Sequence, residues 1–200
     1  DLIRARHGVD EARLRVIPRG VDPRRFDPAL VSAERLAALR AAWGVAEGQP
    51  IIMLPARVTR WKGQMVLVEA MAQLPGDALA LLVGDAAERP AFQAELQARI
   101  AGLGLQDRVR LVGHATDMPA ALMLADVVVH ASTDAEAFGR TVIEAQAMAR
   151  PVIASDLGAP RETVAEGITG WRTPPGDAAA LAAALSRVLA MSDSERAALG

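Results

Sequence analysis

From residue 51 to residue 190 the chain alternates short, mainly apolar runs with longer segments whose apolar residues recur every three or four positions. The short runs predict strands buried on both faces, and the longer ones predict amphipathic helices. The predicted strands are Ile51–Leu54, Ala78–Val83, Val109–Val112, Asp126–His130, Val152–Ala154 and Thr169–Arg172. The helices between them run Lys62–Leu74, Pro90–Ile100, Asp117–Leu124, Gly139–Ala149 and, briefly, Arg161–Ala165. Asp177 caps another that reaches Val188, and Ser192 or Ser194 starts a last one. Ahead of the alternation, Ser32 caps a helix that Gly44 stops after Trp43.

Six apolar strands separated by helices predict an α/β fold: a doubly wound, mostly parallel six-stranded sheet with helices on both faces. The usual order for such a sheet is 3-2-1-4-5-6, with the binding crevice between strands 1 and 4. That order makes a specific statement. The loop after strand 1, Arg57–Lys62, should lie beside the loop after strand 4, Ser132–Gly139.

Both loops carry candidate chemistry. Glu136 and Glu144 bracket seven residues, Ala-Phe-Gly-Arg-Thr-Val-Ile. Glu136 falls in the loop beyond a strand, Phe138-Gly139 where the next helix begins, and Glu144 about a turn inside it. Helix N-termini offer free N–H groups to anions. An anion site flanked by two carboxylates suits a ligand bearing both phosphates and hydroxyls, which describes a nucleotide-sugar. Glu144 would accept ribose hydroxyls and Glu136 those of the donor sugar, while Gly139 would let the backbone approach a phosphate. The alternatives are an exposed helix acid paired with Arg140, a plain loop acid, a core anchor at Phe138 and a helix-start glycine.

In the other loop, Arg57 and Lys62 stand five apart across Val-Thr-Arg-Trp. A guanidinium binds phosphate oxygens in pairs and an ammonium acts as a point charge, so the two could clamp a diphosphate. A solvated basic loop is the alternative. Lys62 is the single lysine among 22 basic residues, either a position that wants a compact ammonium or a chance survivor of an arginine-rich composition. His130 ends a strand and reads as a packed residue. His114, after Gly113, lies at the ligand edge of strand 3 and could neighbour the base.

Composition narrows the classes. The chain has 200 residues, enough for one domain with a real core, and 52% of them are hydrophobic. Its net charge of −2 and pI near 6.0 argue against a general nucleic-acid binder. No apolar run reaches membrane-span length and no signal peptide opens the chain. Zero cysteines exclude disulfides and thiolate metal sites, and there is no Asp-x-Asp pair or histidine cluster to suggest another metal site.

Together these motifs resemble the C-terminal domain of retaining glycosyltransferases of the group 1 type, enzymes of two Rossmann-like domains (the GT-B fold). Val16-Ile17-Pro18-Arg19-Gly20-Val21-Asp22, with Phe26 and Pro28, is similar to that family's interdomain connector. Arg57 with Lys62 resembles its phosphate-binding pair, and Glu136–Glu144 its glutamate-x7-glutamate signature. Arg150–Ser155, Gly158-Ala159-Pro160 and Glu166–Trp171 follow in family order. Arg161-Glu162 departs from it, since many members place Glu directly after Pro.

The resemblance implies catalytic roles for Glu136, Arg57 and Lys62. It implies donor binding by these three together with Phe138, Gly139, Arg140, Glu144 and His114. It further implies transfer of a hexose-type sugar from a UDP-, GDP- or ADP-sugar with retention of configuration, without a metal or other cofactor. The acceptor would be a glycan or glycolipid held by an N-terminal domain, in lipopolysaccharide or other surface-glycan synthesis. The location would be cytoplasmic, with peripheral contact at the inner face of the membrane allowed. On this resemblance residues 1–30 are the tail of that N-terminal domain plus connector, and 31–200 a nucleotide-sugar-binding domain cut before its closing helix. A non-catalytic nucleotide-binding module and a UDP-sugar 2-epimerase remain alternatives.

Overall fold

A computed structural model describes residues 7–15, 17 and 19–199; Val16 and Pro18 of the connector motif lie outside these, as do residues 1–6 and 200. The elements are α1 (Ala33–Trp43), β1 (Ile51–Pro55), α2 (Gln64–Gln73), β2 (Leu79–Val83) and α3 (Pro90–Gly102). They continue with β3 (Val109–Gly113), α4 (Met118–Leu124), β4 (Val127–His130), α5 (Arg140–Ala147) and β5 (Val152–Ser155). The chain closes with α6 (Pro160–Thr163), β6 (Gly170–Thr173), α7 (Ala178–Leu189) and α8 (Asp193–Ala197). The sheet order is β3-β2-β1-β4-β5-β6 and every pairing is parallel, the order read from the strand and helix alternation.

Successive residues of a strand face opposite sides of a sheet, and the core divides accordingly. Ile52 and Leu54 of β1 pack with Leu67 and Met71 of α2, Leu96 of α3 and Leu185 of α7. Ile51 and Met53 pack on the other side with Leu122 of α4, Val142 of α5 and Met148 just beyond it. All these side chains are buried, each contributing about 1.5–3 kcal/mol relative to exposure. With both faces covered, β1 has no room for a polar residue, which is why its sequence is a continuous apolar run.

Helix ends follow local chemistry. The Asp117 and Asp177 carboxylates accept from the amides of Ala120 and Ala180 at 3.2 and 2.9 Å. Ser192, rather than Ser194, caps α8, in a reciprocal box with Glu195. Two predicted helices are shorter than expected. The segment from Lys62 does not begin a helix: Arg60–Lys62 form a 3-10 turn, Gly63 takes φ +77°, and α2 starts at Gln64. Likewise Gly139 (φ +59°) and Ala149 (φ +51°) lie outside α5, which ends where the chain turns toward Pro151. Both departures place a left-handed residue at the edge of the site.

Candidate functional site

Because β1 and β4 are neighbours, the loops leaving their C-terminal ends meet, and main-chain contacts fix how. The Thr133 amide donates to the Trp61 carbonyl at 2.8 Å, joining the two loops directly. Gly63 presses against β4's exit so closely that a Cβ there would lie 1.9 Å from the Ala131 carbonyl oxygen. Buried Gln64 donates through Nε2 to the Arg57 carbonyl at 2.9 Å, holding the middle of the loop. A third loop, after β5, secures Glu136: it forms a parallel bridge with Gly158, and the Ala159 amide donates to its carbonyl at 2.9 Å. A Cβ on Gly158 would come within 2.6 Å of that carbonyl oxygen.

The result is a hollow of about 260 Å³ lined by Arg57, Lys62, Glu136, Phe138, Gly139 and Arg140. Six of the sequence-predicted residues are therefore in one place. Its floor includes the start of α5, where Gly139 brings no side chain to cap the first amides. Those N–H groups and the helix dipole remain available to an anion.

Within the hollow the Lys62 ammonium contacts Oε2 of Glu136, and it also lies 4.1 Å from the centroid of the Trp61 ring. The His130 Nε2 faces the same carboxylate oxygen from 3.6 Å, and His130 is buried. His130 and Lys62 hold the Glu136 carboxyl at about 2, well below the ordinary carboxylate range, although its burial works the other way. Of the two partners Lys62 is the firmer, since it makes the direct contact. No hydrogen bond reaches Oε1 of Glu136 among the described residues, so one oxygen is anchored and the other is offered to the hollow.

Glu144 and His114 lie elsewhere. They line an adjoining hollow of about 390 Å³ with Arg25, Met118 and, on the shared wall, Arg57 and Arg140. The two hollows adjoin and share Pro55, Ala56, Arg57, Arg140 and Thr141 in their walls. Glu144 is half-buried, and desolvation raises its carboxyl above the ordinary range, with Arg140 and Arg25 pulling it partly back. Among the described residues it makes no ion pair with Arg140, so the exposed helix pair considered from sequence does not form. Phe138 is no core anchor either. It is half-buried in the wall of the smaller hollow, with the Arg19 guanidinium 5.1 Å from its ring centroid.

Sequence reasoning missed Arg25 and Gln64, read His130 as a packed residue, which it is, without its place beside Glu136, and named Gly158 only within a family motif. Arg25 carried a signal, standing beside the buried connector residue Phe26. His130 carried one too, as a histidine at the ligand-side end of an all-valine strand. Gln64 and Gly158 act on the backbone of other loops, which periodicity does not report.

Residues 37–200 match the family model described as Glycosyl transferases group 1. The D-inositol 3-phosphate glycosyltransferase of Xylanimonas cellulosilytica is 36% identical over 193 residues, 95% of this chain and 46% of that protein. The lipopolysaccharide core biosynthesis mannosyltransferase LpsB of Rhizobium meliloti is 36% identical over 156 residues, 76% of this chain and 43% of its own length. Among solved structures, a glycosyltransferase from Rickettsia africae ESF-5 superposes with a TM-score of 0.92 at 36% identity, covering 98% of this chain and 52% of that one. Anabaena Alr3699/HepE, solved in complex with UDP-glucose, gives a TM-score of 0.84 at 33% identity, covering 92% and 50%. The chain therefore spans about half the length of the relatives it matches. With its six-stranded parallel sheet and helices on both faces, it belongs to the group 1 glycosyltransferases and has the size and fold of their C-terminal, Rossmann-like domain.

Proposed function

We propose that this domain binds the nucleoside-diphosphate sugar from which the whole enzyme transfers a hexose-type unit with retention of configuration. In this reading residues 31–200 form the donor domain and 1–30 the connector to an acceptor-binding half. The nucleoside occupies the larger hollow, where Glu144 accepts ribose hydroxyls and His114 neighbours the base. The diphosphate crosses the shared wall, contacting Arg57, Lys62, Arg140 and the first amides of α5. The hexose reaches the smaller hollow, where the free Oε1 of Glu136 accepts its hydroxyl protons. The UDP-glucose complex of a relative 33% identical supports this class of donor.

The chemistry follows from the charges. The anomeric C–O bond to the diphosphate breaks while an acceptor oxygen bonds the same carbon from the same face. The acceptor's proton passes to the departing phosphate oxygen. Negative charge on that oxygen grows through the transition state, and fixed cations aimed at it stabilise the transition state more than the ground state. Losing one such donor typically costs about 3–4 kcal/mol of barrier. Arg57, Lys62 and the α5 amides carry that role, so the proposed transfer proceeds without a metal or other cofactor.

The acceptor belongs to the rest of the enzyme. We assign it to the surface-glycan class, a reading supported by the similarity to LpsB. A cytoplasmic site, at the inner membrane face for a lipid-linked acceptor, completes the proposal; no described helix is long and apolar enough to cross a membrane.

One observation carries the reading: Lys62, the single lysine in the chain, meets Glu136 from the facing loop at the open end of α5. Titration calorimetry of the 200-residue chain with UDP, GDP and ADP tests it. Heat with at least one of them is expected, with no sugar transfer by this chain alone. Silence with all three overturns the reading.

A further inference from the structure

His130 has no place in the donor contacts proposed above, yet it is buried where two of them, Lys62 and Glu136, are held together. It ends β4, its Nε2 lies 3.6 Å from Oε2 of Glu136 and 3.5 Å from Oγ of Ser132, and its Nδ1 is buried with no partner. Lys62 occupies the same Oε2. Glu136 is thus in contact with one cation and just short of hydrogen-bond range of an imidazole.

The proton's position on the ring follows. A bare Nε2 would set its lone pair against a carboxylate oxygen, and a proton on Nδ1 alone would be a buried donor without an acceptor. Placing the proton on Nε2 removes both costs and leaves only an unpartnered acceptor at Nδ1. The imidazole then presents an N–H to Glu136 from a buried position.

This matters because Lys62 is asked to serve two anions. An ammonium that turns toward a diphosphate loosens its hold on Glu136, and a half-buried carboxylate left without a donor is costly. We propose that His130 is the positioning residue for Glu136: its Nε2–H takes over Oε2 when Lys62 engages the diphosphate, keeping Oε1 aimed at the sugar. Closing the present gap needs only a small movement of the Glu136 side chain, because its backbone is fastened to Gly158 and Ala159. The role of His130 rests on the nucleotide-sugar reading, but its geometry can be tested without a nucleotide.

Nitrogen-15 and proton NMR of the His130 ring in the 200-residue chain should show the Nε2–H form. In Lys62→Met, which removes the competing ammonium, the Nε2–H proton should move downfield as its hydrogen bond to Glu136 shortens. The same shift should appear when UDP is added to the unsubstituted chain. A proton on Nδ1 with bare Nε2, or an unmoved resonance in Lys62→Met, overturns the proposal, as does UDP that binds with heat but leaves the resonance unmoved. Absent heat together with the Lys62→Met shift would instead remove the nucleotide reading and leave the His130–Glu136 assignment standing. His130→Gln, which keeps an N–H donor, should bind UDP nearly as the parent does. His130→Leu, which does not, should bind about tenfold more weakly, the equivalent of one lost hydrogen bond. Equal affinities for the two variants contradict the positioning role, whatever their melting temperatures.

Discussion

Gly63 and Ala131 approach so closely that one added carbon on the glycine would sit 1.9 Å from the alanine's carbonyl oxygen. They lie on the loops after β1 and β4, and the contact closes the gap between them. Gly63 also has φ +77°, where an L side chain is strained. Gly63→Ala should therefore destabilise the domain by at least about 2 kcal/mol, strain and clash together. Urea unfolding measures it, and a loss under half that size would show that the two loops can separate freely.

Arg57 is exposed and its side chain makes no hydrogen bond or ion pair among the described residues, so its removal should leave the melting temperature nearly unchanged. Nucleotide affinity in Arg57→Ala should nonetheless fall by about 2 kcal/mol, or roughly thirtyfold, the scale of one hydrogen bond to a charged group. Calorimetry with UDP and a thermal melt, run on the same sample, separate the two quantities. Parallel losses in both would return Arg57 to the status of a structural loop residue.

The two acids should respond to pH in opposite senses. Glu136 is held at about 2, from an ordinary value of 4.5, so its stabilisation is complete above 4.5 and fades as pH falls toward 2. Glu144 is raised by burial, so it costs stability as pH rises through the ordinary carboxylate range. At neutral pH Glu136→Gln should thus lower stability and Glu144→Gln should raise it. Denaturation curves of both variants from pH 3 to 7 provide the check, and matching signs would refute the assignment of environments.

The division into two hollows predicts a ligand-dependent pattern. Glu144→Gln should weaken UDP binding while sparing inorganic pyrophosphate, because the proposed pose sets the diphosphate on the shared wall and the ribose beyond it. Lys62→Met should weaken both. Competition titrations with the two ligands would expose a single merged pocket if the variants behaved alike.

Much of this was legible because the strands are apolar on both faces. β1 and β4 could be placed from composition alone, and the rule for such sheets then made their exits neighbours. That rule sets the loops of Lys62 and Glu136 side by side, although the contact between the two side chains is not visible in the sequence. What stayed hidden depends on contacts between loops. The 3-10 turn at Arg60–Lys62 replaces a helical start because Gly63 must fit under Ala131, a constraint that comes from β4 and leaves no periodic mark. Glu144 keeps its helix position and lines the adjoining hollow, which shares Arg57 and Arg140 with the one that holds Glu136. His130 looked like packing because a valine run surrounds it, and only the fold turns its ring toward the acid.

The main-chain ties between Trp61 and Thr133, and between Glu136 and Ala159, use atoms that every amino acid except proline can supply in full. Side chains on the intervening loops can be exchanged without slackening the scaffold beneath them. A lineage built on this frame can therefore vary a loop position such as Phe138 by single substitutions, with the stability of the sheet largely insulated from the experiment.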